Sequence, residues 1–298
     1  MQGLSFLKWV IIKGVITVNN KDQILGLLGK NIEFSLSPKI HNYLSNVMGL
    51  NYHYFIFDIE NSTDLKKAIE AMRVLKIQGV NVTIPYKKDV MQNLDRIDQN
   101  VKKLGAVNTI KNEEGQLVGY NTDVDGFDEL AYNKGVNFAH KTVSLIGAGG
   151  AAAAVVYYLA KTDLKKLYLI NRTIGRAEQL KTDFLQDIAQ IEVIELSGNR
   201  LSTAIDHSDI IINSTPLGLQ DRYEQISPIK ADLIKEKHTV IDLVYKPRIT
   251  KLLQDAKDQD ARIISGIEML IYQAVKSFEI WTGALVEYDL VKELINNL

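Results

Sequence analysis

The chain has 298 residues, 46% hydrophobic and 24% charged, and 35 basic residues nearly balance 36 acidic ones for a formal net charge of -1. That balance gives no electrostatic case for nucleic acid or an acidic membrane surface as a partner. With no cysteine, disulfides and thiolate chemistry are excluded, and the five histidines lie too far apart in sequence for metal-ligand spacing.

The first twenty residues, MQGLSFLKWVIIKGVITVNN, form an apolar run broken by Lys8 and Lys13. No small-residue cleavage site follows, so residues 1–20 read as an extension rather than a leader, and the protein is expected in the cytoplasm. No apolar run approaches the roughly 18 residues of a membrane span. After the extension, apolar segments alternate with amphipathic helical patterns. Strands are expected at 24–28, 51–57, 79–83, 142–146, 166–170, 210–212, 239–242 and 261–264, with helices such as 63–76 and 248–257 between them. The alternation predicts an α/β fold with mostly parallel sheets.

Several polar residues fall at the ends of these strands. Ser35 and Ser37 precede Pro38, and hydroxyls at i and i+2 of an extended segment point the same way. They could hold a carboxylate or polyol; alternatively Ser37 is only the N-cap of the next helix. In GVNVTIPYKKDV, residues 79–90, a strand meets Pro85. Val90, Met91, Leu94 and Ile97 then recur at helical spacing. That spacing predicts a helix with Lys87 and Lys88 in its first turn, where the helix dipole disfavours a cation. Either the lysines are solvated there, or one is wanted for proton transfer. Asn108 in GAVNTI can both donate to and accept from a hydroxyl. Residues 112–123 read as a turn and a short strand, and a helix opens at Asp123–Asp125, where Asp123 suits a cap or a functional carboxylate.

The sequence KTVSLIGAGGAAAAVVYYLA supplies a strand, a glycine turn and a helix in that order, the context of a dinucleotide fingerprint. Gly147 permits the tight turn, Gly149 lets the backbone approach a pyrophosphate, and Ala152 stands where the third glycine falls. The helix start supplies N–H groups and positive potential. About twenty residues further on, where an NAD enzyme usually carries an acid, the chain has Asn171, Arg172 and Thr173. Arg172, with Arg176 one helical turn later, suits a ribose 2′-phosphate, which favours NADP over NAD. The plainer reading makes both arginines solvated helix-start residues.

Taken in order, the blocks SLSPKIHN, GVNVTIPYKKDV, GAVNTI, GYNTDVDGF, GAGGAAAA, NRT, NSTPLG, DLVYKPRIT and GIEMLIYQAVKSFEIWTG resemble the shikimate dehydrogenase family. The resemblance implies NADPH-dependent reduction of 3-dehydroshikimate and the reverse oxidation of shikimate, a step of aromatic amino acid biosynthesis. It implies two domains with a cleft between them. An N-terminal α/β substrate domain spans 21–122 and is completed by C-terminal helices at 268–298; a Rossmann-type NADP-binding domain spans 123–267. By the same resemblance Lys87 and Asp123 are the catalytic pair. Ser35, Ser37, Asn81, Thr83, Asn108, Tyr245 and Gln273 meet the substrate. Gly147, Ala148, Gly149, Gly150, Ala151, Asn171, Arg172, Thr173, Arg176, Thr215, Leu243 and Gly266 meet the cofactor. No metal is implied, and the assembly is a monomer or homodimer. Related quinate/shikimate enzymes often carry an acid near Arg172 and accept NAD. Relaxed substrate or NAD use is therefore the second reading, and a non-catalytic NADP-binding sensor the third.

Overall fold

A computed structural model describes residues 22–220 and 223–298. The extension expected over 1–20 lies outside the described residues. Strand β1 (Gln23–Gly29) is flanked by parallel partners, β2 (Tyr52–Asp58) on one side and β3 (Gly79–Val82) on the other. Helices α1 (Ser37–Val47) and α2 (Leu65–Val74) make the crossovers between them. The chain then passes β4 (Arg96–Ile97) and α3 (Gln99–Leu104) and enters a hairpin, β5 (Thr109–Glu113) and β6 (Gln116–Tyr120). The resulting sheet has the order β2-β1-β3-β5-β6-β4, and its β3–β5 and β5–β6 pairs are antiparallel.

The helix expected from Pro85 to Ile97 is absent. Turns follow Val82, a short 3-10 segment covers Asp89–Asn93, and Leu94 is extended at φ -102° and ψ 149°. The N–H groups of Asp95 and Asp98 donate to Leu117 and Gly119 of β6, while the Asp95 carboxylate accepts from Leu117 N–H at 2.6 Å. Pairing with β6 therefore outcompetes helix propagation. Val90 still reaches the core, and Met91, Leu94 and Ile97 pack beside it. Lys87 thus has no helix of its own, and the dipole argument from its sequence position does not apply.

Helix α4 (Asp123–Asn133) leads into a second sheet made of β7 (Thr142–Ile146), β8 (Lys166–Asn171), β9 (Ile191–Glu195), β10 (Ile210–Asn213), β11 (Thr239–Asp242) and β12 (Arg262–Ser265). All its pairs are parallel, in the order β12-β11-β10-β7-β8-β9. Between the strands run α5 (Gly150–Leu159), α6 (Ile174–Phe184), α7 (Leu201–Asp206) and α8 (Lys251–Asp258). β7 and β10 are buried along their whole length, as continuous apolar runs in a covered parallel sheet must be.

The last two helices, α9 (Ile267–Thr282) and α10 (Tyr288–Asn297), return to the first sheet. Trp281 Nε1–H donates to Ile110 O at 2.9 Å. Its indole covers Gly79, where an added Cβ would stand 2.2 Å from Trp281 Nε1 and 2.7 Å from Ile110 O. α9 also packs closely on α4, for a Cβ at Gly126 would lie 2.8 Å from Met269 O. Gly79→Ala should accordingly destabilise the protein by about 1–3 kcal/mol through overpacking. A urea midpoint equal to that of the unmodified protein would show that α9 does not press on β3 as described.

Candidate functional site

The loop after β3 carries Lys87, and the start of α4 carries Asp123. Lys87 Nζ donates to Asp123 Oδ2 at 2.5 Å, with only 17% and 10% of the two side chains exposed. The lysine backbone is fixed as well, since its carbonyl accepts from Val107 N–H at 2.8 Å. Asp123 Oδ1 accepts from Asn108 Nδ2 at 2.9 Å, and Asp123 N–H donates to Asn121 Oδ1 at 3.0 Å. Asn121 in turn donates to Ala106 O. The carboxylate is thus held from two sides with one oxygen turned to the lysine. Lys88, the neighbour, is exposed.

Behind the pair lies a buried polar network, most of which the sequence reading missed. Asn108 Nδ2 also donates to Thr122 Oγ1 and reaches Gln273 Oε1 at 3.5 Å. Asn108 Oδ1 accepts from Thr122 N–H and Thr109 Oγ1. Ser277 Oγ, fully buried on α9, bonds Thr109 and Thr122 hydroxyls at 2.8 and 3.0 Å and donates to Gln273 O. Asn81 uses its amide within the protein. Its Nδ2 donates to Asn108 O, Thr109 Oγ1 and Ser277 Oγ, and its Oδ1 accepts from Tyr54 OH at 2.8 Å. Thr109 and Thr122 could have been noticed as hydroxyl neighbours of Asn108 and Asp123. Tyr54 and Ser277 offered no such signal.

Ser35 and Ser37 do meet. Ser35 Oγ donates to Ser37 Oγ at 3.1 Å and accepts from Ser37 N–H at 3.2 Å. Ser37 is not the N-cap of α1; Leu36 holds that position, and Ser37 is the first helical residue. The bond from Ser37 N–H goes to Ser35, which leaves the Ser37 hydroxyl free of the capping role. Tyr245 lies beside Ser35 and Tyr54 beside Ser37, and burial raises both phenols above the ordinary tyrosine range. Thr83, half-buried, follows the end of β3 and donates its backbone N–H to Leu28 O.

The other predicted positions gather at the carboxyl ends of the second sheet, on both sides of the point where its strand order reverses between β7 and β10. Gly147 has φ +115°, and a Cβ there would strike Ser214 Oγ at 2.4 Å. Gly149, the N-cap of α5, has open space around the place of a Cβ, so the backbone offers a cradle for a phosphate group. Ala148 and Ala151 complete this turn, and the stem of Lys87 lies against Gly150, with Cδ 3.2 Å from the position of a Cβ. Asn171 ends β8, and Arg172, Thr173 and Arg176 are exposed at the start of α6; neither arginine forms an ion pair among the described residues. Thr215 and Leu243 are tied together through Asn213. Its Oδ1 accepts from Thr215 N–H and Oγ1, and its backbone carbonyl accepts from Leu243 N–H. Asp242, wholly buried, accepts from Asn213 Nδ2, Val244 N–H and Thr250 Oγ1, yet burial pushes its pKa up to about 6. Gly266 abuts this loop so closely that a Cβ would lie 2.5 Å from Leu243 O. The residues present fit a dinucleotide, and the exposed arginines, which form no ion pair among the described residues, fit its 2′-phosphate form.

Comparison with known proteins agrees with this geometry. Residues 27–110 match the shikimate dehydrogenase substrate binding domain, 129–255 match shikimate / quinate 5-dehydrogenase, and 266–295 match the shikimate 5′-dehydrogenase C-terminal domain. The shikimate dehydrogenase (NADP(+)) of Alkaliphilus oremlandii is 38% identical over 93% of this chain and 98% of its own. That of Methanocaldococcus jannaschii is 39% identical over the same shares. The chain belongs to the shikimate dehydrogenase family. Among solved family structures, shikimate 5-dehydrogenase from Thermus thermophilus in complex with NADP(H) and shikimate superposes with a TM-score of 0.80. It is 30% identical, with 92% of this chain and 98% of that one covered.

One buried base lies close behind the serines. His41 is 1% exposed and stacks on Tyr54 with ring centroids 4.3 Å apart. Among the described residues neither of its ring nitrogens has a hydrogen-bond partner. Burial pushes its pKa down to about 3, with the Asn81 amide acting in the opposite sense. In the unfolded chain the imidazole takes up its proton near pH 6.5. Between pH 6.5 and 3 the unfolded state therefore binds more protons, and stability falls as the pH falls, by up to about 1.4 kcal/mol per pH unit. Urea midpoints measured between pH 7 and 4 should show a shallower decline in His41→Phe than in the unmodified protein. Identical slopes would refute the assignment.

Proposed function

We propose that this protein catalyses the reversible NADPH-dependent reduction of 3-dehydroshikimate to shikimate, a CH–OH oxidoreduction of aromatic amino acid biosynthesis carried out in the cytoplasm. One observation carries the reading. A desolvated lysine–carboxylate pair stands against the glycine turn of a dinucleotide site, so a proton-transfer group and a hydride carrier share one place. NADP, when bound, supplies the hydride chemistry at the carbinol carbon. Lys87 Nζ holds the proton that the substrate oxygen gains on reduction and gives up on oxidation. Asp123 orients the ammonium and balances its charge, and Asn108 keeps the second carboxylate oxygen occupied.

The substrate set follows the same logic. Ser35, Ser37 and Tyr245 form a hydroxyl cluster suited to a carboxylate. Thr83, Asn108 and Gln273 suit ring hydroxyls, with Asn81 bracing them from the interior. On this reading residues 21–122 and 268–298 make the substrate domain and 123–267 the NADP domain. The quinate-type alternative with NAD is disfavoured because Asn171-Arg172-Thr173 offers no carboxylate to a ribose 2′-hydroxyl.

Steady-state kinetics across pH test the proposal. Lys87→Ala should lower kcat by roughly 10²–10⁴ while the shikimate KM changes much less. Lys88→Ala serves as the control and should keep the unmodified rate, since Lys88 is exposed. Near-normal kcat in Lys87→Ala would sink the assignment. The cofactor is probed separately. NADP should exceed NAD in kcat/KM by about tenfold or more, one charge-assisted contact being worth about 1.5–3 kcal/mol. Arg172→Ala should shrink that ratio through the cofactor KM; equal use of both cofactors by the unmodified protein would overturn the reading.

A further inference from the structure

The fingerprint logic accounts for Gly147 and Gly149 and for Ala152 in the third position, but not for Gly150. Gly150 is not among the residues with positive φ, so its backbone does not call for glycine. It is the first residue of α5, where alanine is the better helix former. Among the described residues outside its own helix turn, a Cβ at this position would meet the Lys87 Cδ at 3.2 Å.

That stem has little freedom to move aside. The Lys87 carbonyl is tied to Val107 N–H, and Nζ is tied to an Asp123 carboxylate that Asn108 holds in place. A lateral shift of Cδ must therefore be absorbed by off-rotamer torsions of the stem or by displacement of Nζ. The geometry points to Gly150 as a positioning residue for Lys87: its missing side chain is the slot through which the lysine reaches Asp123. The glycine turn then serves two ends, cofactor approach at Gly149 and alignment of the proton-transfer group at Gly150. This inference rests on the proposed role of Lys87.

The test is Gly150→Ala in the full-length protein, alone and combined with Lys87→Ala. Shikimate oxidation is followed over a pH series, NADP affinity by direct titration, and stability by thermal unfolding. In the single variant kcat should fall about tenfold, in keeping with the cost of sub-ångström misplacement of a reacting group. NADP affinity, which the resemblance also ties to this turn, should fall by less than kcat does, and the thermal midpoint should be unchanged or higher. In the Lys87→Ala background the same substitution should cost much less of the residual rate at saturating NADP, because the stem it displaces is gone. Gly149→Ala gives the contrast, its loss falling on NADP affinity. Unchanged kcat in Gly150→Ala of an active enzyme would overturn the inference alone. So would a loss of NADP affinity as large as the loss of kcat, in both backgrounds alike, which would assign Gly150 to the pyrophosphate. A protein inert toward shikimate before any substitution would instead overturn the functional reading, and this inference with it.

Discussion

An ammonium and a carboxylate held 2.5 Å apart and largely withdrawn from water are the interaction around which this molecule is arranged. Burying such a pair costs several kcal/mol per ion unless the geometry is good and the remaining lone pairs are satisfied. Both conditions have visible consequences. Asn108 donates its amide to the Asp123 carboxylate, Asn121 Oδ1 holds the Asp123 backbone by accepting its N–H, and each is itself anchored to the hairpin or the segment before it. The hydroxyls of Thr109, Thr122 and Ser277 close the remaining bonds. A wholly apolar surround would leave the pair without support, and a wetter one would surrender its orientation.

The pair also explains why two sheets of different character meet here. The second sheet is parallel throughout, which sends the carboxyl ends of β7, β8, β10, β11 and β12 to one edge where loops can receive a dinucleotide. The first sheet is mixed, and its antiparallel hairpin sets Asn108 and Asn121 within reach of each other. Asp123 begins the helix that leaves one sheet for the other, while Lys87 meets it from β3. The pair therefore sits at the junction between them.

Much of this could be read from the residues. All eight strands expected from the sequence, Thr142–Ile146 and Thr239–Asp242 among them, lie within one residue of an observed strand at each end. The glycine turn and the missing acid at Asn171 were equally legible. The failures have physical causes. β9 is an edge strand whose Glu192 and Glu195 hid its periodicity, and β5 was masked by the polar face of Thr109, Lys111 and Glu113. The expected helix after Pro85 rested on apolar spacing that a 3-10 turn followed by a two-residue strand satisfies as well. Tyr54 and Ser277 were invisible because their partners lie 27 and 196 positions away when Asn81 is the reference.

The return of α9 has a consequence for the order in which the protein matures. Trp281 caps a carbonyl 171 positions earlier, and Ser277 joins a hydroxyl 168 positions earlier. Such long-range closures carry a large loop entropy and come late in folding. On the ribosome both sheets have all their strands by residue 265, whereas α9, which covers the first sheet, follows them. Asn108, Asn121 and Thr122 are therefore made before the glycine turn, and Ser277 of α9 joins their network only after the strands of both sheets.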